Sequence, residues 1–140
     1  MTFQIEIRRI HRGSANCDDR RNGSPVDEAI RFYTDKLGFE LLEDTDHGKE
    51  KRWVRVAPPG EGSAEFLMAR AVDAEQSARV GNQTGGQAFL FLETDDFERD
   101  YRLMCNRRVT FVEPPRNEPY GKVAVFVDLY GNKADLIEPA

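Results

Sequence analysis

The secondary-structure signals in this chain run through one order, stop at a polar stretch ending in glycines, and then repeat that order. This confines the fold to two copies of one unit. Each pass reads strand, helix, three strands. In the first, "TFQIEIRRI" alternates Phe3, Ile5 and Ile7 with Gln4, Glu6 and Arg8, the period of a half-buried strand. "SPVDEAIRFYTDKLGF" then places Ser24 at the N-cap, Pro25 at the first helical position, Val26, Ile30, Tyr33 and Leu37 in an apolar stripe, and Gly38 at the stop. "FELLED", "KRWVRVAP" and "AEFLMAR" supply three strands, the last two joined by the turn "PPGEGS". The second pass gives strand "QAFLFLE", helix "DDFERDYRLMCNR", strand "VTFVEP", loop "PRNEPYG", and strands "KVAVFVDL" and "KADLIEP" around the turn "YGN".

The halves superpose. Val26, Ile30 and Tyr33 fall on Phe97, Tyr101 and Met104 at a shift of 71, and past the helix Phe39, Leu41 and Glu43 fall on Val109, Phe111 and Glu113 at a shift of 70. The shift of 70 also lays Val54 and Val56 on Ala124 and Phe126, and "AEFL" (64–67) on "ADLI" (134–137). The reading is one domain of two modules, about 1–72 and 87–140, with a linker at about 73–86 that has room for a short helix. Glu65 thereby becomes the counterpart of Asp135, the carboxylate set among the apolar residues Ala134, Leu136 and Ile137 in the second strand of "FVDLYGNKADLIE". Two acids facing one another can bind a divalent cation, hold a cationic ligand or share a proton; the plain alternative is that both point to solvent.

Composition narrows the partners. With 39% hydrophobic and 32% charged residues in 140, the chain is an ordinary globular one, and its net charge of -5 argues against nucleic acid. Arg8, Arg9, Arg12, Arg20 and Arg21 cluster in and after the first strand, but Asp18 and Asp19 are interleaved with them, as in a solvated loop. The stretch "HRGSANCDDRRNGSP" reads as that loop. No apolar run approaches a membrane span, and the start lacks a signal-peptide core, so a cytoplasmic location is expected. Cys17 and Cys105 lack metal or disulfide spacing, and Cys105 reads as core on the second helix.

Three segments carry a resemblance: "AIRFYTDKLGFELL", "ETDDFERDYRLMCNRRVTFVEPP" and "GKVAVFVDLYGNKADLIEP" resemble the helix-to-strand segments and closing hairpin of the vicinal oxygen chelate superfamily, which includes glyoxalase I, bleomycin- and fosfomycin-resistance proteins and extradiol dioxygenases. The resemblance implies an α+β fold of two tandem βαβββ modules whose mixed sheets curve round a central cleft, often in a homodimer. In metal-dependent members it implies ligands from the first and last strands of each module. Asp135 matches the C-terminal acidic ligand and Glu65 its counterpart, with Gln4 or Glu6 as the first-strand candidates. The expected histidine position holds Phe89, with Gln87 two residues away; His11 and His47 are not placed to replace it. Two carboxylates and one doubtful donor do not make the nitrogen-rich site that zinc, nickel or iron prefers.

The expectation is therefore a small-molecule-binding protein of the glyoxalase/bleomycin-resistance type, with no cofactor and without a catalytic metal. Trp53, Arg55, Gln87, Phe89, Arg116 and Tyr120 are its candidate ligand contacts, against the plain readings of core packing for the aromatics and solvation for the arginines. The alternative is a metal-dependent lyase or isomerase in which Glu65 or Asp135 moves a proton beside a carbonyl. Dioxygenase chemistry is disfavoured. The residues leave open whether the protein is an enzyme.

Overall fold

The computed structural model describes residues 25–49, 51–60 and 63–140, together with the backbone of residues 2–6. The Ser24 cap, Ile7, His11, the arginine cluster, Cys17 and the tip of "PPGEGS" lie outside the described residues. The fold is mixed α+β, and contacts divide it into two units, 1–78 and 79–140. Among the described residues, no helix is long and apolar enough to cross a membrane.

In the first unit, β1 (Thr2–Glu6), β2 (Glu40–Asp46), β3 (Arg52–Ala57) and β4 (Glu65–Ala69) form an antiparallel sheet in the order β1-β4-β3-β2. Helix α1 (Pro25–Arg31) runs into a wider π-turn, Phe32–Lys36, where the Leu37 N–H donates to the Phe32 carbonyl at 3.3 Å. Ala29 and Phe32 are buried beside Val26, Tyr33 and Leu37, whereas Ile30, placed in the stripe by the sequence, is only half-buried. Gly38 (φ 74) ends the helix, as the sequence predicts. Tyr33, Phe39 and Phe66 pack ring to ring at 5.4 and 5.9 Å, with Val54, Val56 and Met68 fully buried. Arg52 ties helix to sheet, its guanidinium reaching Asp27 and, through two bonds, Asp44, each at 2.7 Å. Helix α2 (Ala74–Arg79) falls within the span expected to be linker. Its end carries a reciprocal cap, Gln76 N–H to Asp73 (2.7 Å) and Val72 N–H to Gln76 (3.0 Å).

In the second unit, β5 (Leu90–Glu93), β6 (Thr110–Phe111), β8 (Gly121–Val127) and β9 (Lys133–Pro139) lie in the order β5-β9-β8-β6, and β7 (Arg116–Glu118) pairs with β8. β7 corrects the reading of "PRNEPYG" as loop: its alternation is hidden by two polar ends, Arg116 and Glu118, which share one face. β5 runs parallel to β9, whereas β1 runs antiparallel to β4, so the repeat holds from the helix onward and not in the first strand. Helix α3 (Phe97–Asn106) begins at the Asp96 cap, whose side chain accepts from Arg99 N–H at 3.0 Å. Phe97, Tyr101, Phe111 and Phe126 join α3 to the sheet through ring centroids 5.6, 4.5 and 5.8 Å apart. Cys105 is exposed, not core: it lies about 80° round the helix from Phe97, off the buried line of Phe97 and Met104.

Candidate functional site

Each sheet carries its helix on one face, and the sequence-predicted site residues collect on the other. In the first unit that placement depends on a β-bulge. Leu41 stands opposite Val56 on the helix side; the register then skips Leu42, and Glu43 stands opposite Arg55 on the open side. Simple alternation would have kept Glu43 with Phe39 and Leu41. The bulge brings together a charged row: Thr45 Oγ1 donates to Glu43 at 3.1 Å, Arg55 Nε donates to Glu43 at 2.8 Å, and Arg55 Nη1 donates to Glu65 at 2.5 Å. Burial works against the Arg55 charge, but the bonds to Glu43 and Glu65 outweigh it and hold the guanidinium above its ordinary range. Glu65 is 9% exposed, so its charge is matched inside the protein rather than by water. Trp53, 37% exposed, stands opposite Thr45, and buried Leu67 stands opposite Arg55. By register Gln4 pairs with Leu67 and Glu6 with Glu65.

The second unit repeats the bulge. Val112 and Glu113 both donate to the Val125 carbonyl, at 2.9 and 3.4 Å, as Leu42 and Glu43 sit against Arg55. Arg55 therefore corresponds to Val125 at a shift of 70. The hairpins then part company. Val125 faces Asp135, but Arg55 faces Leu67, because the connection between the last two strands is residues 58–64 in one unit and 128–132 in the other. Asp135 is thus the counterpart of Leu67, and the equivalence of Glu65 with Asp135 read from the sequence is corrected by two residues; the even offset keeps both acids on open faces.

The shorter connection is a tight turn around Asp128, 5% exposed. Its Oδ1 accepts from Tyr130 N–H and Asn132 N–H, and its Oδ2 from Asn132 Nδ2, all at 2.9 Å. Leaving this turn, β9 buries Ala134 and Leu136 on the helix side and leaves Asp135 half-buried on the other, between Phe91 of β5 and Val125 of β8. Burial pushes the Asp135 carboxyl above its ordinary range; the Arg116 charge opposes that and Glu113 adds to it. Arg116 is engaged by Glu113 and, at 2.9 Å, by Glu118, with Tyr120 (56% exposed) beside it. Phe89 N–H donates to Lys133 O at 2.9 Å two residues before Phe91, and Gln87 lies in the preceding turn, its carbonyl held by Thr84 at 2.5 Å.

The structure therefore joins Trp53, Arg55 and Glu65 on one face and Arg116, Tyr120 and Asp135 on another. Glu43, Glu113, Glu118 and Phe91 belong with them, although sequence reasoning does not single them out. The repeat does mark Glu43 and Glu113, whose recurrence at a shift of 70 is the available signal. Among the described residues, no three His, Cys, Asp or Glu side chains lie close enough to hold a metal ion. His47 sits in the exposed β2–β3 turn.

The upward push on Asp135 bears on stability. A carboxyl lifted in the folded state contributes stability that is complete below its unfolded pKa and lost as pH rises through the folded one. Asp135→Asn is expected to raise the melting midpoint at neutral pH, with the gain vanishing in acid below the ordinary carboxylate range. Melts of both proteins across pH check this; a variant less stable at neutral pH contradicts it.

Comparison with known proteins matches residues 21–136 to the Glyoxalase/Bleomycin resistance protein/Dioxygenase superfamily model. An uncharacterized protein of Shewanella frigidimarina (strain NCIMB 400) is 54% identical over 113 residues, 80% of this chain and 84% of that one. Among solved structures, TnmS3, an antibiotic binding protein from Streptomyces sp. CB03234, superposes with a TM-score of 0.65 at 30% identity, over 84% of this chain and 88% of that one. UcmS2 superposes with a TM-score of 0.69 at 33% identity, over 81% and 89%.

Proposed function

This chain belongs to the glyoxalase/bleomycin resistance protein/dioxygenase superfamily, and we propose that it is a small-molecule-binding member that holds an organic ligand on the open faces of its sheets without a resident metal. The observation that carries this reading is the 30% identity, across most of both chains, to a protein described as antibiotic binding. The donor chemistry supports it. Glu65 spends its charge on Arg55, Asp135 is flanked by Phe91 and Val125, and the resemblance puts Phe89 where a nitrogen ligand would be needed. The two open faces offer what such a ligand uses, exposed aromatic rings beside a few fixed polar groups. We place the protein in the cytoplasm and as a homodimer, as expected from the sequence and the resemblance.

A thermal-shift panel of polycyclic and glycopeptide antibiotics, with and without nickel, zinc or manganese, tests the reading. A ligand at a hundred times its Kd stabilises by about 2.7 kcal/mol, and the same shift is expected with chelator present. The competing reading is a metal-dependent lyase or isomerase. Stoichiometric metal in the purified protein, together with turnover lost in Asp135→Asn, would establish it and overturn the proposal.

A further inference from the structure

Resting on the ligand-binding reading, we infer that the open face of the second unit selects a planar aromatic ligand carrying a positive charge, with its ring against Phe91 and its cationic group at Asp135. Phe91 and Asp135 are register partners on adjacent parallel strands, so their side chains leave the sheet on the same side as immediate neighbours. Phe91 is 62% exposed, a large ring with most of its surface free. The side chains next to Asp135 along β8 and β9 are apolar: Val125 opposite it and Val123 opposite Ile137, both buried, and Ile137 itself, half-buried. Asp135 has no hydrogen-bond or ion-pair partner among the described residues, in contrast to Glu65, which is matched by Arg55.

The neighbouring cations do not fill that role. Arg116 is already held by two carboxylates, Glu113 and Glu118, and Lys133, two residues before Asp135 on the same face, is exposed to water. Counting Glu93, opposite Ile137, the face carries four carboxylates against two cations. A half-buried carboxylate without a partner in an apolar setting gains most from a ligand that brings its own positive charge and displaces water. A flat ring gains from stacking on Phe91. The upward push on the Asp135 carboxyl agrees with this, because a bound cation is what would favour its ionised form.

Fluorescence titration of the full chain with 9-aminoacridine, a cation at neutral pH, and acridine, its neutral counterpart, tests the inference. The cation is expected to bind about tenfold more tightly, a preference of about 1.4 kcal/mol. Asp135→Asn should abolish the preference, bringing 9-aminoacridine down to the affinity of acridine, and Phe91→Ala should weaken both. Equal binding of the two probes, or a preference that survives Asp135→Asn, overturns the inference and leaves the ligand-binding reading standing. Absence of binding by either probe, while a neutral antibiotic stabilises the protein, does the same. No stabilisation by any probe or antibiotic overturns both.

Discussion

Replacing Arg55 with methionine is expected to cost the first unit about 2–3 kcal/mol, among the largest effects any exposed-face substitution should have. The guanidinium bridges Glu43 and Glu65 at 2.8 and 2.5 Å, and methionine keeps most of its length without its charge. Glu65, its side chain 11% exposed, then remains in a poorly hydrated place with no counter-charge. Removing one partner from a fully buried pair costs about 3–5 kcal/mol; Arg55 at 23% and Glu43 at 32% keep some contact with water, which lowers the figure. The control is Arg55→Met combined with Glu65→Gln, which removes the stranded charge and should recover most of the loss. Denaturant unfolding of the two variants decides the matter. A single substitution costing under about 0.5 kcal/mol, or a double variant no more stable than the single, would show that Glu65 does not depend on Arg55.

That row also shows how far the sequence can be read. The helices and the central strands followed from local chemistry: Pro25 and Gly38 bracket α1 and its π-turn, and alternating apolar residues mark β3 and β8. Site geometry depended on two features with no local signature. One is the bulge at Leu42, which turns Glu43 from the helix side to the open side. The other is the length of the last hairpin, which displaces Asp135 from Glu65 by two ladder positions. Both are register effects, set by pairing between strands rather than by the strand itself. The bulge left a trace because it occurs twice, at Glu43 and at Glu113. Phe91 left none, since nothing in "QAFLFLE" separates an exposed phenylalanine from a buried one until β5 is known to be an edge strand beside β9.

Gly121→Ala should be about as damaging as the Arg55 change, by a different route. Gly121 opens β8 at φ 148, a conformation L side chains rarely adopt, and a Cβ there would stand 2.3 Å from the Glu138 carbonyl oxygen and 3.0 Å from the Pro139 Cα. Both contacts are backbone of the paired strand β9, so no side chain can swing aside. Overpacking of this kind costs about 1–3 kcal/mol, and the unfavourable φ adds about 1–2 kcal/mol. The displacement would also reach α3, because the Glu138 carboxylate accepts from the first helical N–H, that of Phe97, at 2.8 Å. Gly86→Ala separates the contributions. Gly86 has φ 96 with nothing within 4 Å of its Cβ position, so it carries the backbone strain alone and should lose only about 1–2 kcal/mol. Thermal melts should therefore rank the wild type first, Gly86→Ala second and Gly121→Ala last, with the final variant lower by about 10 °C. Equal midpoints for the two variants would mean that β9 yields to the added methyl, and that the β8–β9 hairpin holding Asp135 opposite Val125 is softer than its close packing implies.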